Sequence, residues 1–185
     1  MPFSKFFSLL IAIGIVPLLA GIISGVEFYV FVIYNSLLFI LLIIDYIITP
    51  GKKHFEIRRI CDSKLSMGGE NQIIISIRNK SGYPLDIIAQ DEIPLHMDIK
   101  DEFVKIKVPP YSEAEGKYVV VPEKRGEFTF GKIHIKYNGI LKLCSKKYWY
   151  DVTENYKVYP KLKDLSKYGL KIINKNHLIH GVKKV

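Results

Sequence analysis

Two long apolar runs without charged side chains occupy the amino-terminal quarter of the chain. They cover residues 6–26 and 28–44, with the single acid Glu27 between them. At about 1.5 Å rise per residue, a hydrocarbon core of roughly 30 Å needs about 20 apolar residues, and both runs are close to that length. The pattern predicts a hairpin of two transmembrane helices, over about residues 5–25 and 28–48.

A cleaved signal peptide is the alternative interpretation of the first run, with Lys5 as its basic segment. However, the run is longer than the usual h-region of about 7 to 15 residues, no A-x-A-like cleavage site ends it, and a second run follows at once. These features favour a membrane span.

The orientation of the hairpin follows from its basic residues, because Lys and Arg near the ends of spans stay in the cytoplasm. Lys5 precedes the first run, and Lys52, Lys53, Arg58 and Arg59 follow the second, whereas the connecting turn has no basic residue. We therefore expect a two-pass protein of the cell membrane, with both termini and the following domain cytoplasmic. The four basic residues after the second span are predicted to lie near the lipid bilayer.

Asp45 lies at the end of the second run. It is either a functional acid inside the membrane or an acid at the level of the lipid headgroups. Its position at the boundary, shortly before Lys52 and Lys53, favours the second interpretation.

The residues after the hairpin divide into a domain over about 51–160 and a tail over 161–185. In the domain, apolar and polar residues alternate and turn residues recur every 8 to 15 positions, which is typical of antiparallel strands. Strands are predicted over residues 55–60, 72–78, 86–90, 103–108, 117–121, 127–137, 141–152 and 156–159. Seven or eight such strands in about a hundred residues indicate an all-β, immunoglobulin-like sandwich.

Within the segment 127–137 the alternation changes phase. Phe128 and Phe130 are two residues apart, but Ile133 and Ile135 continue in the other phase, with Gly131 between. One extra residue at this glycine would restore a common face, so the sequence predicts a β-bulge there.

The tail is strongly basic, with seven lysines and a single acid after Pro160. Its leucines and lysines recur at helical spacing, which predicts a short amphipathic helix. We expect it to pack on the sandwich, to touch the anionic leaflet, or to mark the docking position of a partner or a further domain.

A series of short segments follows in a recognisable order. They are Tyr34-Asn35 in the second span, Arg58-Arg59, Ile75-Ser76-Ile77-Arg78-Asn79-Lys80-Ser81, Asp91-Glu92-Ile93-Pro94, Lys124-Arg125-Gly126-Glu127-Phe128-Thr129-Phe130-Gly131 and Val158-Tyr159-Pro160. This order resembles the amino-terminal half of the bacterial domain-of-unknown-function family 58 (DUF 58). The resemblance covers nearly the whole chain.

The resemblance implies a membrane protein whose sandwich precedes a von Willebrand factor A-like domain and whose partner is a MoxR-type AAA ATPase. The chain departs from the family at residues 139–144, where relatives have an Asp-x-x-Gly-Leu-Phe-like stretch. The Asp-x-Ser-x-Ser metal-binding motif of A-like domains is absent. An inactive fragment of a split or truncated gene is therefore the alternative expectation.

Two residues are candidates for facing a protein partner. Arg125 precedes Gly126 in a predicted tight turn, where it either stabilises the turn or is presented to an acidic partner. Trp149 alternates with Tyr148 and Tyr150 along a strand, so it points away from the two tyrosines. The strand has either one side in the core and one half-covered side, or an aromatic patch for a partner or the bilayer.

The sequence contains no recognisable catalytic or metal-binding motif. The five histidines are scattered, and His177 and His180 are the one pair within a helical turn. Two histidines without a third ligand are weak evidence for a metal. No nucleophile elbow, phosphate-binding glycine loop or nucleic-acid-binding motif occurs, and Cys61 and Cys144 are expected to be packed, reduced thiols.

These observations predict a protein that is not an enzyme and needs no cofactor. The expected function is that of a membrane-anchored interaction module, which works with a MoxR-type AAA ATPase in the assembly of membrane or secreted complexes. Nucleic acid is not an expected partner.

Overall fold

The computed structural model describes residues 5–16 and 27–160, which form two α-helices and eleven β-strands. The helices are α1 (Lys5–Ile13) and α2 (Glu27–Ile48), and a short 3-10 helix (Lys52–His54) follows α2. The strands are β1 (Phe55–Cys61), β2 (Lys64–Ser66), β3 (Asn71–Asn79), β4 (Leu85–Asp91), β5 (Met97–Ile99), β6 (Val104–Val108), β7 (Glu113–Pro122), β8 (Gly126–Phe130), β9 (Ile133–Asn138), β10 (Ser145–Tyr150) and β11 (Glu154–Tyr159).

Within the described residues, α2 is the one helix that is long and apolar enough to cross a membrane. Its segment Phe28–Ile48 has a mean hydropathy of 2.3, and most of its side chains are exposed. The first predicted span is helical over Lys5–Ile13, whereas the predicted turn between the two spans lies outside the described residues. The structure thus supports one apolar helix near the amino terminus, and the two-helix hairpin is not shown.

The strands form an antiparallel, immunoglobulin-like sandwich, as predicted. One sheet has the strand order β1-β3-β7-β5, the facing sheet has the order β10-β9-β4-β6, and a third, three-stranded sheet has the order β2-β11-β8. Every pairing is antiparallel except that of β11 with β2. Alternate side chains of each strand point inward, which buries an aliphatic core that includes Ile73, Ile75, Ile77, Ile87, Ile106, Val108, Val120, Ile133 and Ile135.

The predicted β-bulge at Gly131 is confirmed, because the N–H of Gly131 donates to the carbonyl of Glu92 at 2.9 Å and the N–H of Glu92 donates to the carbonyl of Lys132 at 3.0 Å, so two residues oppose one. The single strand predicted over residues 127–137 is wrong, because the chain forms two strands there. Strand β8 ends at Phe130 and pairs with β11, whereas β9 begins at Ile133 and pairs with β4 and β10. Residues 131–132 therefore carry the chain from one sheet to another. Phe130 and Ile133 are both fully buried, so the phase change that the sequence displays is real, and it coincides with a change of sheet.

Two other strand predictions also need correction. The last predicted long strand begins at Ser145 rather than at residue 141, because residues 139–144 form a turn. The sequence did not predict β2 and β5, since three residues are too short to establish an alternating pattern.

A buried ion pair crosses the interior of the sandwich between β1 and the end of β4. The guanidinium of Arg59 donates to Asp91 in a bidentate manner, from Nε to Oδ2 at 2.7 Å and from Nη2 to Oδ1 at 2.5 Å. The hydroxyl of Tyr118, on β7, donates to the same carboxylate at 2.5 Å. Burial, together with the charge of Asp91, raises the pKa of Tyr118, which keeps its hydroxyl protonated as a donor.

The prediction that Arg59 is a basic residue at the membrane surface is therefore wrong. Its guanidinium also donates to the carbonyl of Gly131 at 2.9 Å and to that of Val152 at 2.6 Å, and its side chain has no exposed surface. Arg59 thus holds the crossover between β8 and β9 and the segment after β10 against β1. Charged side chains are buried only when their donors and acceptors are satisfied, as they are here.

Replacing Arg59 by leucine is expected to lower the free energy of unfolding by about 3–5 kcal/mol, because Asp91 would remain buried without its cation. The matched control is Arg58→Leu, since Arg58 is the preceding residue of the same strand and is exposed. That change should alter stability by less than about 0.5 kcal/mol. Urea unfolding of the detergent-solubilised chain, followed by its β-sheet circular dichroism, measures both. Equal losses in the two variants would contradict the structural role of Arg59.

Candidate functional site

The end of α2 docks on the sandwich through the carboxylate of Asp45. Oδ1 accepts the backbone N–H of Leu141 at 2.8 Å, and Oδ2 accepts those of Leu143 and Cys144, both at 3.0 Å. Asp45 has no exposed surface. Three convergent backbone N–H groups form an anion-binding turn, and hydrogen bonds to an ionised acceptor are stronger than neutral ones.

The turn between β9 and β10 has the backbone geometry that this contact needs. The N–H of Gly139 donates to the carbonyl of Cys144 at 2.8 Å, which closes the turn. A Cβ atom at Gly139 would collide with the Asp45 carboxylate, so glycine is required there. Lys142 adopts a left-handed conformation with φ of 59°. This turn is the segment in which the sequence departs from the DUF 58 pattern.

Lys146 caps the carboxyl-terminal end of α2. Its Nζ donates to the backbone carbonyls of Tyr46 at 2.9 Å and Thr49 at 2.7 Å, and it lies 4.5 Å from the centre of the Tyr46 ring. The last carbonyls of a helix lack partners inside the helix and carry partial negative charge, so a lysine there is favourable. Burial lowers the pKa of Lys146, and the charge of Asp45 opposes this shift.

The hydroxyls of Thr49 and Tyr137 make further contacts between the end of α2 and the sandwich. We call this region the joint and define it by Asp45, Thr49, Pro50, Tyr137, Lys146 and the turn 139–144. The Thr49 hydroxyl accepts the N–H of Ile140 at 3.2 Å and donates to the carbonyl of Asp45 at 2.6 Å. The hydroxyl of Tyr137 donates to the carbonyl of Pro50 at 2.5 Å. The sequence predicts that Asp45 lies near the headgroups, but it does not reveal the partners of this carboxylate, because they lie more than 90 residues away in the chain.

A second surface lies on the outer face of the β10-β9-β4-β6 sheet and is built around Trp149. We call it the Trp149 face and define it by Ile88, Phe103, Lys105, His134, Lys136, Lys147 and Trp149. Trp149 is 58% exposed on this face, whereas Tyr148 and Tyr150, on the other side of the strand, pack against the core. Together with Ile88 and Phe103 it lines a groove of about 510 Å³.

Three lysines lie in one row across the Trp149 face. Lys147 pairs with Lys136, which lies opposite Ile88, and Ile88 in turn lies opposite Lys105. All three lysines are exposed, and none forms an ion pair with a residue that the structure describes. Like charges directly opposite each other destabilise a sheet. The row is therefore a surface that an acidic ligand would stabilise.

The other predicted site residues are spread over the molecule. Arg125 is exposed in the turn between β7 and β8, before Gly126 with its φ of 145°, and does not line the groove of the Trp149 face. Lys52 and Lys53 are exposed directly after α2, close to where a membrane surface would lie, and Arg58 is exposed on β1. The structure thus does not bring Arg125 and Trp149 together.

The two thiols are free and lie in different surroundings. Cys61 is half-buried at the end of β1, and burial raises its pKa to about 11. Cys144 is buried in the joint, where burial and its contact with Asp45 raise its pKa. Neither thiol is poised as a nucleophile, because the reactive form is the thiolate.

Within residues 5–16 and 27–160, no group of three or more His, Cys, Asp or Glu side chains is arranged to hold a metal ion. The pair His177 and His180 and the predicted basic helix of the tail lie outside the described residues.

Comparison with known proteins gives structural similarities only. No family model and no curated protein matches the chain. Similar solved structures include the CARDB domain of a Pyrococcus furiosus protein in complex with di-metal ions, with a TM-score of 0.38, 9% identity and coverage of 60% of this chain and 90% of that chain. A FixG-related protein from Vibrio parahaemolyticus has a TM-score of 0.37, 10% identity and coverage of 57% and 96%. The cupredoxin domain of amoB from Nitrosocaldus yellowstonii has a TM-score of 0.37, 7% identity and coverage of 58% and 88%. The resemblance to DUF 58 stays a prediction.

The Asp45→Asn change is expected to loosen the turn between β9 and β10. An asparagine of the same size loses the charge and places an amide donor against backbone N–H donors. Losing one charge-assisted contact costs about 1–3 kcal/mol, which corresponds to roughly a 5- to 150-fold faster amide exchange in the turn. Hydrogen exchange of the chain in lipid nanodiscs, read by mass spectrometry on the peptide that contains residues 139–144, measures the effect.

Asp86→Asn is the control for this change, because Asp86 is an exposed acid on β4. It should leave the exchange of the turn unaltered. If both variants exchange like the original chain, Asp45 does not hold the joint.

Proposed function

We propose that this protein is a membrane-anchored, non-catalytic interaction module whose Trp149 face binds an acidic segment of a partner protein. The observation that carries the proposal is a row of three exposed lysines beside an exposed tryptophan, none of them in an ion pair with a described residue. Tryptophan provides a large apolar contact, and lysines around it select a negatively charged partner and accelerate its association.

The partner that we propose is a MoxR-type AAA ATPase, and the process is the assembly of membrane or secreted complexes. Support for this choice comes from the resemblance to DUF 58. The anchored position of the sandwich fits such a role, because the joint ties it directly to the end of α2 and keeps the Trp149 face at a set distance from the bilayer.

We further propose that α1 and α2 form a transmembrane hairpin in the cell membrane, with the sandwich and both termini in the cytoplasm. The two described helical segments touch, which supports this arrangement: the Tyr34 hydroxyl donates to the carbonyl of Leu10 at 2.6 Å. A Cβ atom at Gly14 would collide with the Tyr34 ring, as expected where two helices pack closely. The basic residues Lys52 and Lys53 after α2 favour the cytoplasmic orientation.

The Trp149→Ala change is expected to weaken binding of a purified MoxR-type AAA ATPase by about 30-fold, the effect of removing an aromatic residue that contributes about 2 kcal/mol. Biolayer interferometry with the chain in nanodiscs measures the affinity. The matched control is Tyr159→Ala, because Tyr159 is an exposed aromatic residue on the β2-β11-β8 sheet. Binding that is absent in the original chain, or equally reduced in both variants, would refute the proposed docking face.

Cysteine labelling in intact cells is expected to establish the orientation. In a Cys61→Ser, Cys144→Ser background, a membrane-impermeant maleimide should label Ser24→Cys from outside the cell. It should label Lys52→Cys only after the membrane is permeabilised, since the positive-inside rule places Lys52 in the cytoplasm. Labelling in the reverse order would show that the sandwich is outside.

A further inference from the structure

The end of the sandwich nearest α2 presents exposed aromatic and apolar side chains on three separate loops. Tyr83 lies between β3 and β4, Tyr111 between β6 and β7, and Leu141 between β9 and β10. Tyr111 is 77% exposed, and the other two are exposed by more than two fifths. Tyrosine is enriched at membrane–water interfaces, where its ring lies among the headgroups and its hydroxyl reaches water.

The depth of these loops follows from the joint. Counting about 20 residues from Phe28, the start of the apolar segment, places the far boundary of the hydrocarbon core near Ile47. Asp45 lies within one turn of that boundary, and its carboxylate is held by the backbone N–H of Leu141. The tip of the turn between β9 and β10 must therefore lie at the level of the headgroups, with the exposed side chain of Leu141 at the bilayer surface.

A cleft of about 530 Å³ separates the end of α2 from the loop between β3 and β4. Its helical side carries Tyr46, Ile47 and Ile48, whereas its other side carries His54 and Lys80. The apolar wall of the cleft continues the apolar surface of α2, and the basic wall faces it. This arrangement matches a phospholipid, because the apolar wall can contact the acyl chain and the basic wall can contact the phosphate.

The charge around this end of the sandwich is predominantly positive. Lys52, Lys53, Lys80 and Lys142 are all exposed there. Two acids near this end are paired, Glu56 with Lys80 and Glu113 with Arg78. Lysines near an anionic bilayer are attracted to its negative surface potential, so this end is attracted to anionic lipid more strongly than to zwitterionic lipid.

We propose that this end of the sandwich is a second membrane-binding surface, in which Tyr83, Tyr111 and Leu141 enter the headgroup layer and the cleft holds the phosphate of an anionic phospholipid. The sandwich then rests on the bilayer instead of being tethered above it. This inference depends on the membrane attachment through α2, but not on the identity of the protein partner.

Fluorescence quenching tests the contact with the bilayer. Trp149 is the single tryptophan, so a Trp149→Phe background allows a reporter tryptophan to be placed at will. Leu141→Trp and Tyr111→Trp, each in the full chain in nanodiscs, should be quenched by lipids that carry a nitroxide near the headgroup. Tyr159→Trp should not be quenched. Phe39→Trp, in the middle of α2, should be quenched by a nitroxide deep in the acyl chain and thereby reports insertion.

Quenching at positions 111 and 141 with none at 159 would support the inference. If position 39 is quenched while positions 111 and 141 behave like 159, the sandwich is held off the bilayer and the inference is overturned, although the membrane anchor stands. Absence of quenching at position 39 would overturn both the inference and the anchor.

Native mass spectrometry of the detergent-solubilised chain tests the preference for anionic lipid. Phosphatidylglycerol should be retained more strongly than phosphatidylcholine, and Lys80→Gln should reduce its retention about fivefold, the equivalent of roughly 1 kcal/mol. The control is Lys157→Gln, since Lys157 is exposed on β11. Equal retention of the two lipids, or equal effects of the two substitutions, would overturn the assignment of the cleft.

Discussion

The hydrogen bonds between the Asp45 carboxylate and the turn of residues 139–144 hold the two parts of the molecule together. A charge at the end of an apolar helix would normally remain hydrated. Here three backbone N–H groups replace that water, and Lys146 satisfies the free carbonyls of the same helix. Because both contacts use groups that need a partner when buried, the sandwich is held at the end of α2 in one orientation. Without these contacts, the covalent connection between α2 and β1 would allow many orientations of the sandwich.

This orientation decides where each surface of the sandwich lies relative to the end of α2. The loops that carry Tyr83, Tyr111 and Leu141 lie beside the helix end, while the Trp149 face belongs to the outside of a sheet that starts at the joint. Lys136 and Lys147 sit opposite each other on that sheet, a pairing that costs stability in the free protein. This unfavourable arrangement on a rigid sheet supports the binding role that we propose for the Trp149 face.

Arg58 and Arg59 illustrate how far the sequence could be interpreted. Both are basic residues a few positions after a span, and the positive-inside rule treats them alike. In a strand, however, neighbouring side chains point to opposite faces, so one of each such pair faces the core. Alternation agrees with the burial of Phe55 and Ile57 on the same side of β1 as Arg59, but it does not predict the burial of an arginine. Its burial depends on Asp91, which is 32 residues away and reaches it across the interior. The same limit applies to Trp149, whose strand pattern was compatible with either face.

The sequence by itself determined the apolar helix, the alternating strands and therefore the β-sandwich, because helix length and strand alternation depend on residues close together in the chain. It also revealed the change of phase at Gly131. Only the tertiary structure decided that this change is a move between sheets, that Asp45 and Arg59 are buried with distant partners, and that Trp149 lies on an outer basic face. The physical reason is that a buried charge is stable only beside donors and acceptors from other elements, and their arrangement arises when the sheets pack.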